Sequence, residues 1–425
     1  MHASSLENMQ KCYDRYIAPR LAETSTAFNV LDVGGADVNG SYAEIFAGPN
    51  FNYTAADLTP GPGVSIVLDD PYRLPFQTGS LDIVLSGQML EHCEFFWESF
   101  EEMIRVLRPD GYLFLIAPSS GPIHQYPVDC YRFYPDAYRA LAKRSECHLI
   151  DVWHDQRGPW NDLVGVFSKR YEAPKRNLSP SLSDVAKINQ FSMPLNPELD
   201  IIRGARPYLD VLQHIHDQLM PKTYLEIGVR KGKSISLAKC ESVGVDPDPD
   251  VEHSLGGSTR IVRQSSDDFF EIGDDPILSE KLDLSFIDGM HLFENALRDF
   301  MHVEARSHAA TVIAIDDVSP NHPIQAARKR STRVWTGDVW KLHDCLRQFR
   351  PDLRLLLLDT EPTGLLLVTG LDPQNRVLWE KYNPIVRKYR DMDSIPPDWV
   401  MERHEAKSPE NDSVDQFLKV ASPEN

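Results

Sequence analysis

The chain has 425 residues, which at about 150 residues per domain predicts two or three domains. Its 44 Lys and Arg against 63 Asp and Glu leave a formal net charge of −19, which argues against a phosphate-backbone binder and disfavours docking on anionic membranes. Apolar residues at 42% and charged residues at 25% describe an ordinary globular chain, and no apolar run approaches the roughly 20 residues that span a bilayer. The stretch up to Tyr16 is polar and lacks an apolar signal core. Six cysteines, Cys12, Cys93, Cys130, Cys147, Cys240 and Cys345, lie far apart without a CxxC pair, which suits a reducing cytoplasm. The expectation is a soluble cytoplasmic enzyme with neither nucleic acid nor membrane as partner.

In chain order, strand-like runs alternate with helical periodicity in two separate blocks, the pattern of an α/β chain with mainly parallel sheets. The first block, residues 1–175, has FNVLDVGG, YTAADL, VSIVLD, LDIVLSG and YLFLIAP. Before the last of these, Phe96, Phe100, Met103, Ile104 and Leu107 recur at helical spacing, and Pro109 and Gly111 stop the predicted helix. HLIDVW and LVGVFSK flank the turn-rich HDQRGPWND and predict an antiparallel hairpin closing the sheet. Residues 176–204, rich in Pro, Ser and Asn, read as a linker with room for one short helix. The second block, 205–372, starts with the helical PYLDVLQHIHDQL and repeats the order with TYLEIGV, SVGVD, RIVRQS, LDLSFIDG, TVIAIDD, LRLLLLD and GLLLVTG. From 373 to 425 the pattern weakens to one helix, VLWEKYNPIVRKY, broken at Pro384, and an acidic mobile tail. The expected fold is α/β: two tandem Rossmann-like domains, each a seven-stranded, mostly parallel sheet whose last strand is antiparallel.

In an open α/β sheet the ligand sits beyond the carboxyl ends of the strands, beside strand one, so the residues there decide the cofactor. Block one has Asp32, Gly34, Gly35 and Ala36 there; block two has Glu226, Gly228, Arg230, Gly232, Lys233 and Ser234. A dinucleotide loop needs G-x-G-x-x-G, but the other two positions hold Ala36 and Asn39 counting from Gly34, and Arg230 and Lys233 counting from Gly228. A P-loop needs four residues before GK[ST]. Gly228 to Gly232-Lys233-Ser234 has three, a near miss for a nucleotide hydrolase, and Glu226 would set a like charge beside a phosphate. The third class is S-adenosylmethionine, which has no phosphate and carries a sulfonium and an ammonium. An acid closing strand one attracts those cations, and glycines let the methionine part lie against backbone. A second acid ending strand two can accept from both ribose hydroxyls, and Asp57 and Asp246 stand there. After strand three, Asp69 or Asp70 in block one and Ser266 or Asp267 in block two would meet the adenine. The ordered series occurs twice and selects this class.

At these residues the chain resembles the class I S-adenosylmethionine-dependent methyltransferases over most of both blocks. LDVGGADVNGSY, LPFQTGSLDIVLSGQMLEH and EEMIRVLRPDGYLFLIAPS resemble the broad small-molecule group in which an EH pair follows strand four, with Ala36 where many members have a second loop glycine. YLEIGVRKGKS, FIDGMHLFENALRDF and IAIDDVSP resemble the metal-dependent sugar O-methyltransferases of macrolide biosynthesis. In block two Asp288 ends strand four, His291 follows three residues later, and Asp316 and Asp317 end strand five. Three carboxylates at one sheet edge describe a hard-cation site suited to Mg²⁺, with His291 placed to take a hydroxyl proton. The resemblance implies the same roles; the bland alternative is that Asp288 and Asp316 cap helices.

Block one offers Glu91 and His92 after strand four, and His124, Asp129 and Arg132 in an aromatic-rich segment after strand five. His124 is favoured over His92 for proton removal, without a metal; the alternative is that Glu91-His92 fixes the cofactor loop. Trp335 and Trp340 either line a sugar face or belong to the core, and Arg328-Lys329-Arg330 reads as a solvated helix surface. The expected function is a bifunctional methyltransferase that O-methylates a sugar, glycan or natural-product acceptor. The alternative keeps the second domain as the single active enzyme and makes the first a substrate-binding or interaction module.

Overall fold

The computed structural model describes residues 2–21, 26–172, 195–273, 275–390, 392 and 395–421. The linker expected over 176–204 lies outside the described residues as far as residue 194. The chain divides into two units, Met1–Pro180 with Trp379–Asn383, and Ser181–Leu378 with Pro384–Asn425.

The first unit is built on β1 (Phe28–Val33), β2 (Phe51–Asp57), β3 (Ile66–Val67), β4 (Leu81–Gly87), β5 (Leu107–Pro118), β6 (His148–His154) and β7 (Asp162–Ser168). They form one seven-stranded sheet in the order β3-β2-β1-β4-β5-β7-β6, with β7 antiparallel to both β5 and β6. Both faces are covered at the centre of the sheet, so its central strands are mainly apolar and alternate residues enter different cores. Leu113 and Leu115 pack with Phe100 and Met103, while Tyr112, Phe114 and Ile116 pack with Met9, Cys12 and Tyr16 of the N-terminal segment. The helix ending the fourth crossover is Phe96–Val106, and Leu107, expected as its last apolar residue, starts β5 opposite Leu81. Pro109 disfavours helical backbone at Arg108 and forces the early stop.

The second unit repeats the sheet. A two-stranded pair, β8 (Arg206–Pro207) with β15 (Thr360–Glu361), stands apart from β9 (Thr223–Ile227), β10 (Glu241–Val245), β11 (Thr259–Val262), β12 (Leu282–Ile287), β13 (Ser307–Asp316), β14 (Arg354–Leu358) and β16 (Leu365–Thr369). These seven run in the order β11-β10-β9-β12-β13-β16-β14, again with the sixth position antiparallel. Helix Tyr208–Leu219 buries Val211, Leu212 and Ile215 against Tyr224, Leu284 and Leu367.

Two expectations for the end of the chain are corrected. The break in VLWEKYNPIVRKY falls at Lys381, between helices Val377–Glu380 and Tyr382–Arg390, and Pro384 sits in the first turn of the second, where a missing N–H is harmless. The segment expected to be a mobile tail contains helix Asn411–Ala421, which buries Val414 and Leu418 in the same core as Ile215. No helix among the described residues is long and apolar enough to cross a membrane.

Candidate active sites

In the first unit, Asp32 lies at the carboxyl end of β1, buried, and accepts a hydrogen bond from the Tyr53 hydroxyl at 2.5 Å. Burial pushes its carboxyl up to about 7, against the opposing phenol bond and with a further push from Asp57. Gly34 follows with φ 80°, and a Cβ there would meet Met89 Cγ at 2.7 Å, so glycine is required for both conformation and space. Gly35 is equally tight, with a Cβ at 2.9 Å from Asp32 Cγ. Asp57, closing β2, accepts weakly from the N–H groups of Ala36 (3.4 Å) and Thr59 (3.3 Å), which ties strand two to the first loop. Asp69 is exposed, and Asp70 accepts from the Tyr72 N–H at 2.8 Å.

Beyond β4 and β5 the other candidates converge. His92 Nδ1 lies 2.6 Å from the Val128 carbonyl, and its Nε2 lies 3.7 Å from Glu91. The His92 and His124 rings are 5.2 Å apart, and His124 packs edge-on against Trp160. Asp129 accepts from the His124 N–H at 2.6 Å but is clamped by both guanidinium nitrogens of Arg132, which lowers its carboxyl to about 2. Glu91 is buried, and burial raises it to about 8. Gln88 and Asp162, which sequence reasoning passed over, complete the group: Gln88 Nε2 donates to Asp162 at 3.0 Å from the start of β7. An antiparallel β7 begins at the same edge where the parallel strands end, so only the topology places Asp162 here.

In the second unit Glu226 is fully buried and accepts from Tyr224 Oη at 2.6 Å and Ser234 Oγ at 2.7 Å. Gly228 has φ 90°, and a Cβ on it would stand 1.8 Å from the Asp288 carbonyl oxygen. Gly232, φ 77°, accepts from the Ser236 N–H and closes the loop. Asp246 accepts from the N–H groups of Val229 (2.9 Å) and Arg230 (2.8 Å), the counterpart of Asp57 in the first unit. Ser266 opens helix Ser266–Ile272 and hydrogen bonds to Asp299, while Asp267 is held by two nitrogens of Arg298.

Asp288, His291 and Asp317 come together so that one donor atom from each lies within 4.8 Å of the others. His291 Nδ1 is 2.7 Å from Asp317 Oδ2 and 2.9 Å from the Trp335 carbonyl, and its Nε2 is 3.5 Å from Asp288 Oδ1. The Thr363 hydroxyl donates to the other oxygen of Asp317 at 2.7 Å. Asp316 stands outside this trio, with its Oδ1 accepting from the Asp317 N–H at 2.9 Å. It still interacts with the trio: burial and then Asp316 and Asp317 hold the Asp288 carboxyl well above the usual carboxylate range, and burial and Asp317 hold Asp316 there as well. Asp288 caps no helix. Helix Phe293–Glu304 takes its first N–H acceptor from Asp338, at 2.8 Å from Phe293 N.

Trp335 stacks on His291 at 5.0 Å with 6° between the rings, whereas Trp340 is a core residue packed with Ala326 and Val400. The basic run at 328–330 is a loop rather than a helix surface: Arg328 pairs with Glu294 and Asp338, and Arg330 lies over Trp335 at 5.6 Å. Tyr53 and Thr363 carried no sequence signal, whereas Trp335 is one of the sequence candidates. Tyr224 carried a signal, since it sits two residues before Glu226 on the same face of its strand.

Residues 31–115 match a family model described as a methyltransferase domain, and residues 225–318 match a second with the same description. The chain is 32% identical over 142 residues to an uncharacterized methyltransferase of Mycolicibacterium gilvum (strain PYR-GCK), which covers 29% of this chain and 53% of the relative. It is 34% identical over 152 residues to one of Mycobacterium marinum, covering 32% and 56%. The chain spans about half the length of the curated relatives it matches. Similar solved structures include a SAM-dependent methyltransferase from Aquifex aeolicus (15% identity, 39% of this chain and 96% of that one, TM-score 0.27). Another is the Burkholderia thailandensis 1,6-didemethyltoxoflavin-N1-methyltransferase with bound 1,6-didemethyltoxoflavin and S-adenosylhomocysteine (18%, 40% and 85%, TM-score 0.30).

Proposed function

We propose that this chain, which carries two class I methyltransferase domains in tandem, is a bifunctional S-adenosylmethionine-dependent methyltransferase acting on hydroxyls of a sugar, glycan or natural-product acceptor. The observation that carries the reading is the repeated cofactor frame: a buried acid closing strand one, a glycine with positive φ, and a second acid tied to that loop, once around Asp32, Gly34 and Asp57 and again around Glu226, Gly228 and Asp246. In each domain the first acid would hold the cofactor's cationic end and the second its ribose, and Asp69 or Asp70 and Ser266 or Asp267 would meet the adenine.

In the second domain two carboxylates and an imidazole within 4.8 Å of one another fit a hard divalent cation such as Mg²⁺, which Asp288 and Asp317 would hold, with Asp316 buried behind them. A bound Mg²⁺ supplies Lewis acidity that lowers the pKa of an acceptor hydroxyl. His291 keeps its Nδ1 proton on Asp317 and the Trp335 carbonyl, which leaves the Nε2 lone pair to take the hydroxyl proton. Trp335, stacked on His291, offers a flat apolar wall against which a sugar ring can lie. Positioning and proton removal are what in-line methyl transfer asks of the protein. In the first domain His124 and His92 stand beyond β4 and β5 for the same task without a metal.

One observation favours the second reading, in which the first domain binds substrate without transferring a methyl group. His92 Nδ1 faces the Val128 carbonyl and not a carboxylate as His291 Nδ1 faces Asp317, and Asp129, the acid next to His124, is committed to Arg132. Titration of S-adenosylhomocysteine into the chain, repeated with Asp32→Ala and Glu226→Ala, with and without Mg²⁺, separates the two. Two sites, each lost with its own variant, support two cofactor pockets. One site, lost only with Glu226→Ala, selects the second reading, and no binding at all refutes both.

A further inference from the structure

Arg403 lies in the arm between helix Asp398–Met401 and helix Asn411–Ala421, well beyond the residues that match the methyltransferase-domain model. Its backbone is left-handed, φ 53°, a conformation that a long side chain keeps only when its surroundings hold it there. The guanidinium is nearly buried and reaches two loops at once. On the loop after β13 its Nη2 donates to the Asn321 side-chain oxygen at 2.6 Å and to the Ser319 carbonyl at 3.2 Å. On the second loop it donates to the carbonyls of Thr360, in β15, and Pro362, between β15 and β16, each at 3.3 Å, and it pairs with Asp359 just before β15.

Both loops lead to one carboxylate. Asp317 heads the first loop, and Thr363 on the second donates to its Oδ1 at 2.7 Å. The loops are also joined directly, by Ser319 N–H to the Thr363 carbonyl at 2.7 Å and by Asn321 Nδ2 to the Pro362 carbonyl at 2.8 Å. Asp317 itself holds a left-handed backbone, φ 62°, which is what turns its Oδ2 toward His291 Nδ1. We infer that Arg403 is a positioning residue for the Asp288–His291–Asp317 cluster: by bridging Ser319 and Asn321 to Thr360 and Pro362 it holds Asp317 in the conformation that presents its free oxygen to His291 and to a cation. A planar guanidinium can serve acceptors on two loops in one plane, which an ammonium cannot. The inference rests on the cation site proposed above.

The test uses the full chain and Mn²⁺ as the probe, read by electron paramagnetic resonance, with the cluster's site defined as the one Asp317→Ala removes. Arg403→Gln is expected to weaken that site by about 10–100-fold, the usual effect of removing a group that orients a metal ligand. The S-adenosylhomocysteine site that Glu226→Ala removes should keep its affinity. Arg347→Gln, which severs the exposed pair between helix Trp340–Phe349 and Glu405 of the same arm, should leave both unchanged. If Arg403→Gln does not fold, Arg403→Lys carries the test, with the same selective loss expected because lysine cannot span both loops. Unchanged Mn²⁺ affinity in the Arg403 variant overturns the inference, and so does a parallel loss of S-adenosylhomocysteine affinity, which marks general damage to the fold. A parent chain with no Asp317-dependent Mn²⁺ site overturns the cation reading itself and the inference with it, a result distinct from parental binding that survives Arg403→Gln.

Discussion

Oδ2 of Asp317 lies 2.7 Å from Nδ1 of His291, and both residues hold left-handed backbone, φ 62° and 54°. Such conformations cost about 1–3 kcal/mol each outside glycine, so the surrounding structure must impose them. Part of that constraint is visible: a Cβ on Gly337 would stand 1.7 Å from the His291 carbonyl oxygen, so a glycine there is what lets the Trp335–Gly337 segment close over the histidine.

His291→Ala is expected to lower methyl transfer by the second domain by about 10²–10⁴-fold, the usual span for a general base. S-adenosylhomocysteine affinity should be unchanged, because the cofactor frame around Glu226 and Gly228 makes no use of the imidazole. Tritiated methyl transfer from S-adenosylmethionine to a hydroxylated acceptor, set beside calorimetric titration of the product cofactor, measures both. Equal losses in the two would make the histidine a prop of the loop rather than a base.

Burial pushes Glu226 up to about 8 against the hydroxyl bonds from Tyr224 and Ser234, whereas a free glutamate titrates near about 4.3. Between those values the folded cofactor-free domain holds a proton that the unfolded chain has released. The contribution to stability is therefore complete below about pH 4.3 and is lost as pH rises through about 8. Glu226→Gln should flatten the fall in melting temperature over that window. Superimposable pH profiles for variant and parent would show that Glu226 is ionised throughout.

Gly228→Ala combines a positive φ with a Cβ 1.8 Å from the Asp288 carbonyl oxygen, and backbone cannot yield as a flexible side chain can. A loss of about 2–4 kcal/mol is expected, which lowers the second domain's melting temperature by roughly 4–15 °C and removes cofactor binding there. Gly257→Ala, where an added Cβ meets nothing within 4 Å, should melt with the parent. Scanning calorimetry distinguishes the two variants.

Asp338 is fully buried and serves three donors: Phe293 N at 2.8 Å, Arg328 at 2.7 Å and the buried Lys341 at 3.2 Å. Asp338→Ala leaves two cations without their shared carboxylate and should cost about 3–5 kcal/mol, as breaking a buried pair does. Chemical denaturation of the second domain gives the value. A loss below about 1 kcal/mol, the scale of an exposed pair, would mean that water replaces the carboxylate.

Most of the architecture was legible because its signals are local. Short apolar runs interleaved with helical spacing placed all seven strands of each block's main sheet, and the hairpin of β6 and β7 was written in two apolar runs around a polar turn. The acids closing strands one and two were legible for the same reason: their distance from a strand end is counted along the chain. Leu107 was misplaced because an apolar residue fits a buried helix and a buried strand equally well. The tail was misread because the core that Val414 and Leu418 enter is formed by the sheet and by helix Tyr208–Leu219, two hundred positions earlier in the chain.

By itself, then, the sequence determined the two repeated sheets, the acids and glycines that follow the first strand in each, and the set of chemistry-bearing residues at the second sheet's edge. Tertiary structure decided which of those residues meet. Asp316 and Asp317 are adjacent in sequence, yet Asp317 joins Asp288 and His291 while Asp316 turns back onto the N–H of its neighbour. Trp335 reaches His291 across 44 positions and Thr363 reaches Asp317 across 46. Hydrophobic period is a property of neighbours along the chain, whereas the direction of a carboxylate is set by hydrogen bonds from loops that only folding brings together.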